Sequence, residues 1–483
     1  MNIEELIRIH DRNQFEIKLG YLINHKKKKT EYDINLYFFL PNNLGINRYN
    51  YSNSQFFEDL YGYVRLITPK CSLPDLTERI KNIINFMSLK KDTIDKHFGY
   101  INYELKITIC SYRAYLRDFA KKLKKNHYSN ENINNLVKEI QAFRQEIKKL
   151  PAFTENTNQQ PLKDLLIFTD EYSSLLTVMY IFRIYDFLSE NKYDINAQIL
   201  NVINNEIEYR KLRGMSYASE DDSKNEELIY KYSVFKKYFY NILFLFQKRR
   251  EDAVEFRHFL YAIAAGIAMI FATTVAFLSQ KKYGNFTLSF FVALVISYMF
   301  KDRIKDLFRQ IFENKLFFRK VFDFRNKIYD PERYNLFGFY KERVRFINKN
   351  QIPEKILQTR LQKADSSLST WYTGEDIMKY EKKIKLNNKK ILKSFNDKIE
   401  GLNDIIRFNV NHFIKKMDDP SVTLNTLEKG MKKITASKVY HVNLVIEFKS
   451  DEEHSSYKVR LILTKDGIKR IEIPGYDIVL TNS

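Results

Sequence analysis

The side chains best placed to do chemistry are Asp92, Asp95 and His97 in the stretch DTIDKH. Carboxylates and an imidazole two or three residues apart can share a metal ion. At the polar start of a helix the same residues act as a cap and as surface charge, and that is the expected role here. Glu206, Glu208, Arg210 and Arg213 in NEIEYRKLRG are spaced for ion pairs along a helix. Glu453 and His454 are adjacent in an expected strand loop, with no third partner in the sequence. No phosphate-cradling glycine loop, H-E-x-x-H, C-x-x-C or G-x-S-x-G is present. The two cysteines, Cys71 and Cys110, make neither a metal-ligand spacing nor a disulfide framework. The expectation is therefore a protein that is not an enzyme, with no catalytic, cofactor-binding or metal-binding residues. An active site assembled from distant residues would escape this reading.

Charge is the second candidate for function. Lysine and arginine number 80 against 59 acidic residues, a formal net charge of +21. Part of this excess reflects a composition rich in Lys, Asn, Ile and Tyr, the mark of an AT-rich genome. The local clusters are Lys26, Lys27, Lys28 and Lys29, then Lys248, Arg249 and Arg250, then Lys301, Arg303 and Lys305. Each could meet anionic lipid headgroups or nucleic acid, although a run such as Lys26 to Lys29 also suits a solvated loop tip. The lysine-rich stretch from Lys379 to Lys416 is the best nucleic-acid candidate. No recognition motif accompanies it, so nucleic acid is the weaker partner class.

The elements that must position these residues are mostly helical by pattern. The few glycines (13) and prolines (9) favour long helices. A short helix is expected at IEELIRIHDR. Strands are expected at Phe15 to Ile23 and Thr30 to Pro41, where Tyr32, Ile34, Leu36 and Phe38 alternate with polar residues, and the two are expected to form a hairpin. Helices follow at SQFFEDLYGYVRL, capped by Ser54, and at LPDLTERIKNIINFM. Further helices are expected at about 95–126, 130–150, 162–190, 194–213 and 225–256. The lysine-rich stretch from Ile377 to Lys416 reads as another helix, with Ile384, Ile391, Phe395, Ile399, Leu402, Ile406 and Phe413 on one seam. The chain ends in alternating segments around Asp466-Gly467, a hairpin-turn pair, which predicts a small antiparallel meander. Since two or three strands are marginal alone, the meander is expected to share a sheet with residues 15–40.

Between these arms lies an apolar stretch. From His258 to Gln280 no side chain carries a full charge, and a second run, Phe286 to Phe300, follows the connector SQKKYGN. About 20 apolar residues span a bilayer as a helix. Ala264, Ala268, Ala272 and Ala276 recur every four residues, as do Ser289, Ala293 and Ser297. Small residues at that spacing allow close helix packing. They are expected to face each other in an antiparallel pair, or else a second copy of the protein. The first residues are charged and lack the apolar core of a signal peptide, so insertion is expected from within the chain. Flanking Lys and Arg residues put both arms in the cytoplasm by the positive-inside rule.

The expected fold class is predominantly α: an integral membrane two-span helical hairpin, helical cytoplasmic arms, and a small antiparallel β element built from the N- and C-terminal segments. The expected regions are 1–50 (β-hairpin), 51–257 (helical), 258–300 (spans at about 259–279 and 283–300), 301–435 (helical) and 436–483 (meander). The expected role is a cytoplasm-facing scaffold, sensor or recruitment protein in a bacterial cytoplasmic membrane. Its expected partners are the lipid bilayer, anionic headgroups and a cytosolic protein. One alternative is an effector whose spans form a homo-oligomer. A second is a membrane-tethered enzyme with an unrecognised site.

Overall fold

A computed structural model describes residues 7–481, apart from 24–25, 126–129, 192–196, 253, 285–286, 313–320, 332–333, 362–373, 396–398, 419, 428–429, 451–452 and 475–477. In chain order the first elements are β1 (Ile7–Asp11), β2 (Gln14–Leu22), β3 (Lys29–Pro41), α1 (Asn53–Asp59) and β4 (Leu60–Leu66). A helical bundle follows: α2 (Leu73–Leu89), α3 (Phe98–Lys125), α4 (Asn130–Ile147), α5 (Gln160–Glu190), α6 (Ala197–Leu212) and α7 (Asp222–Tyr240). Then come β5 (Phe246–Glu251), α8 (Val254–Tyr283), α9 (Leu288–Ile311), β6 (Phe324–Tyr329), β7 (Leu336–Ile347) and α10 (Glu354–Leu361). The last part holds β8 (Glu375–Asn387), α11 (Asn388–Ser394), β9 (Gly401–Asn409), α12 (Asn411–Lys416), β10 (Ser421–Thr426), β11 (Lys432–Ser437), β12 (Tyr440–Ser450), β13 (His454–Thr464), β14 (Gly467–Ile473) and β15 (Ile478–Thr481).

This overturns the expected fold class. The β structure is not a small element joining helical arms. It comprises a nine-stranded antiparallel sheet ordered β15-β14-β13-β12-β3-β8-β7-β6-β5, a four-stranded sheet ordered β1-β2-β9-β4, and a separate β10-β11 ribbon. The large sheet gathers strands from both sides of the α8–α9 insertion, so the two arms form one body.

The expected N-terminal hairpin does not form, because β2 pairs with β1 and β9 while β3 pairs with β8 and β12. The two consecutive strands thus sit in different sheets. Residues 7–11, expected as helix, are β1; residues 3–6 of that expected helix lie outside the described part. Ser52 rather than Ser54 caps α1, in a reciprocal capping box with Gln55, and the chain leaves that helix as strand β4.

The two sheets pack face to face. Phe38 of the large sheet lies 5.2 Å from Phe408 of the small one, and Phe56 of α1 wedges beside Phe408 at 5.3 Å. One connected apolar core runs from this sandwich into the helical bundle. At its centre Lys382 of β8 donates to Asp404 of β9 at 2.8 Å, with both side chains fully buried.

That pair explains why residues 377–416 read as helix. Met378, Tyr380, Ile384 and Leu386 point into the sandwich with period two, but Lys382 occupies the middle inward position. On β9 the inward row Leu402, Ile406 and Phe408 is interrupted in the same way by Asp404. Each polar residue breaks its strand's alternation, and the two are joined as an ion pair across the sandwich, 22 residues apart in sequence.

Candidate membrane interface

Two described helices are long and apolar enough to cross a membrane, α5 and α8. The most apolar part of α5 is 67% buried inside the protein, whereas that of α8 is only 11% buried. The exposed helix has one main neighbour. Ala264, Ala268 and Ser297 are buried where α8 and α9 meet, and the Ser297 hydroxyl donates to the Ala272 carbonyl at 3.2 Å. Thr273 and Thr274 donate back to the Met269 and Ile270 carbonyls, which satisfies their hydroxyls within the helix. Ala272, Ala276 and Ala293 are half-buried, and Ser289 is exposed. Ser289 and Ala293 line an open recess at the tip with Tyr283, Leu288, Val292 and Ile296.

Of the two expected spans, only α8 is among the described helices long and apolar enough to cross a membrane, so the expected two-span hairpin does not hold. Ser297 lies level with Ala272, and Arg309 stacks 4.3 Å over the Tyr261 ring. Lys301 is therefore level with Ala268 and Met269, and the charged part of α9 runs beside the uncharged stretch of α8 that begins at His258. Both helices are apolar only from the tip to about Phe300. That is about 13 residues of α9, roughly 20 Å at 1.5 Å per residue. The hydrocarbon core of a bilayer is about 30 Å thick. The two runs and their antiparallel pairing are legible in the sequence, but this register is not, and it sets the charged end of α9 against the apolar middle of α8.

The roots of the pair are fixed by the sheet. β5 ends at Glu251 just before α8, and β6 begins at Phe324 after α9. These strands are neighbours, with Glu251 opposite Phe324. The Asp252 amide donates to the Asp323 carbonyl at 3.2 Å, and Lys341 holds the Asp252 carboxylate at 2.8 Å. Residues 246–251, expected as the end of a helix, are thus the edge strand that roots the insertion. FQKRRE carries no apolar alternation by which a strand could be recognised.

The expected basic residues separate into different settings. Lys248 and Arg250 stand exposed on the outer face of the large sheet. Arg249 points to the opposite face and stacks over Phe324 at 3.5 Å and Phe57 at 4.9 Å. Lys301 covers the Tyr298 ring at 3.8 Å, while Arg303 and Lys305 are exposed on α9. Lys26 and Lys28 are exposed near the start of β3, and the Lys27 and Lys28 carbonyls accept from Asn388. Lys29 begins β3 opposite Asn387, four strands from β5 in the same sheet.

Sequence reasoning missed Arg325 and Lys327 of β6, which complete the corner. Lys327 lies directly opposite Lys248, and Arg325 directly opposite Arg250. Their signal was the alternation FRNKIY, with Asn326 and Ile328 buried and the cations Arg325 and Lys327 on the opposite face.

The clusters weighed for catalysis have structural partners. Asp95 accepts from Thr157, and His97 packs edge-on to Phe86 at 5.1 Å; the Asp92 side chain lies outside the described part. Glu206 and Arg210 are buried and join helices rather than pairing along one. Glu206 binds Arg144 at 3.1 Å and Lys148 at 2.7 Å, and Arg144 also holds Asp170 at 3.0 Å. Burial pushes the Glu206 carboxyl up, but the two cations outweigh it and hold the group below its usual range. Arg210 donates to the Glu171 and Ser216 carbonyls. His454 lies 3.0 Å from Glu447, itself held by Lys449 and Asn35.

One unexpected group is His412 of α12, whose Nδ1 lies 2.8 Å from Asp59, with Tyr51 donating to the same carboxylate at 2.6 Å. Burial raises the Asp59 carboxyl despite these two partners. Among the described residues no group of three or more His, Cys, Asp or Glu side chains is placed to hold a metal ion. Neither the family models, nor the curated proteins, nor the solved structures compared with this chain give a match.

Proposed function

We propose that this protein is a membrane-anchored scaffold, held by the α8–α9 pair, that presents its sandwich and helical bundle at one membrane face as a recruitment surface. The observation that carries the reading is the bare apolar surface of the pair. Phe259, Ile270 and Phe277 of α8, with Leu288, Phe291 and Ile296 of α9, are exposed large hydrophobics on a pair that projects from the body. Contiguous apolar surface of this kind marks a membrane or protein contact. The doubly apolar depth favours a short anchor set by Lys301. The stems of Lys281 and Lys282 extend its reach at the tip, because lysine keeps its ammonium in polar surroundings while its methylenes lie in apolar ones.

Because β5 and β6 are paired neighbours, an embedded pair leaves the whole body on one side. The basic residues at its roots favour the cytoplasmic side. The reading assigns no reaction to the protein.

Alkaline carbonate extraction of membranes tests it. The full chain should stay in the membrane pellet, and tags at the two termini should be cleaved from the same side of sealed vesicles. Release of the chain by carbonate would reject the anchor. A second reading, in which copies associate through the pair, is favoured by the open recess at Ser289 and Ala293. Ala264 and Ala268 are already covered by the chain's own second helix. A disulfide-linked dimer formed through Ser289→Cys would support association there, and monomer alone would remove it.

A further inference from the structure

We propose that the outer corner of the large sheet, formed by Lys248 and Arg250 of β5 with Arg325 and Lys327 of β6, docks on anionic phospholipid headgroups. The inference rests on the membrane-anchored reading and names the lipid chemistry that the body meets beside its anchor. The four residues form a grid, since Lys248 is opposite Lys327 and Arg250 is opposite Arg325. Directly opposed side chains in an antiparallel pair lie about 5 Å apart, and like charges placed so are destabilising.

Three neighbouring lysines on the same face are neutralised. Lys341 meets Asp252 at 2.8 Å, Lys383 meets Asp33 at 3.4 Å, and Lys385 meets Glu31 at 2.8 Å. The four corner cations have no carboxylate within ion-pair distance among the described residues. Arg325 instead lies over the Phe339 ring at 4.2 Å, which orients its guanidinium without neutralising it. An external anion would relieve the repulsion, and a phosphate suits two guanidinium groups and two ammonium groups. The source follows from chain continuity. Arg250 stands four residues before the first residue of α8, and at most about 3.4 Å per residue keeps it within roughly 14 Å of the anchor root. Each basic residue near an anionic membrane surface contributes about 1 kcal/mol, equivalent to about fivefold in affinity.

The test uses the full chain in nanodiscs of phosphatidylcholine, and of phosphatidylcholine with one-third phosphatidylglycerol. Amine labelling of Lys248 and Lys327 is followed by mass spectrometry. Labelling of both should slow about fivefold in the anionic discs and recover at high salt, while Lys29, four strands away, keeps its rate. A variant carrying R250Q and R325Q should lose most of that protection while its incorporation and thermal midpoint are unchanged. Equal labelling in the two discs would overturn the proposal. So would protection conferred by an added DNA duplex and not by phosphatidylglycerol, which would make nucleic acid the partner. Failure to enter either disc would reject the anchor itself, a result separate from equal labelling after incorporation.

Discussion

Helices α5 and α8 are close in length, 31 and 30 residues, and both are apolar enough to cross a membrane. Their surroundings are opposite. α5 runs through the bundle with neighbours on most sides, and its polar groups find partners there. Thr177 shares a hydrogen bond with Tyr112 at 2.6 Å, and Asp170 is held by Arg144 and Tyr209. α8 is covered along one stripe only, and its threonines turn back to their own backbone. Thr169 and Thr177 of α5 also donate to their own backbone, so what separates the two helices is burial and the charged partners that α5 recruits from its neighbours.

The largest effect that would sharpen this contrast comes from the charges under α5. Arg144→Leu removes the buried cation shared by Asp170 and Glu206, leaving them only Tyr209 and Lys148, and breaking a buried pair in this way costs about 3–5 kcal/mol. Urea unfolding of the body should show it, and a loss below about 1 kcal/mol would mean that the bundle charges are hydrated. Lys382→Met should be comparably costly, while Lys382→Met combined with Asp404→Leu should recover most of the loss.

Next in size is a matched truncation. Leu176→Ala in α5 removes a fully buried side chain and should cost about 2–5 kcal/mol. Ile270→Ala in α8, 67% exposed, should leave the body's unfolding within about 0.5 kcal/mol of the parent. Equal losses would break the distinction between the two helices.

A smaller effect is expected on acidification. Glu206, Glu381 and Glu447 are all pushed up by burial, but nearby cations and hydrogen bonds dominate and hold them below the usual glutamate range. A carboxyl depressed in the folded state stabilises it above the unfolded pKa, about 4.3, and loses that contribution as pH falls through the folded value. Stability should therefore be flat in these groups above about pH 5 and decline below about pH 4. Arg144→Leu should flatten the part of that decline belonging to Glu206. The smallest effect is expected from Ser297→Ala, which removes one hydrogen bond between α8 and α9, about 1 kcal/mol. Crosslinking between paired cysteines at 276 and 293 should broaden without being lost.

The contrast also explains what could be read in the chain beforehand. The α8 stretch stood out because nothing in it compromises with a protein interior, and the alternating strands β3, β12 and β13 stood out because each has one clean apolar face. The strands that escaped notice carry inward polar residues. Lys382 in β8 and Asp404 in β9 hide each other's alternation, and Gln247 and Arg249 in β5 point inward onto Tyr340 and Phe324. Such positions make sense only when the cross-sheet partner is known, and pairing across tens of residues leaves no local mark. The candidate interface followed the same rule. Lys248 and Arg250 were visible as a run beside an apolar helix, but Arg325 and Lys327 joined them only through strand pairing.

On the proposed function the sheet body and the α8–α9 pair are separable, the body folding by its own core and the pair serving as an anchor rooted between neighbouring strands. Replacing residues 252–323 by an Asp-Gly turn would join β5 directly to β6 as a hairpin, a connection that their antiparallel pairing allows. The shortened chain is expected to be released from the membrane fraction, with a thermal midpoint within a few degrees of the parent body. A chain that still pellets with membranes, or that no longer unfolds cooperatively, would contradict the account.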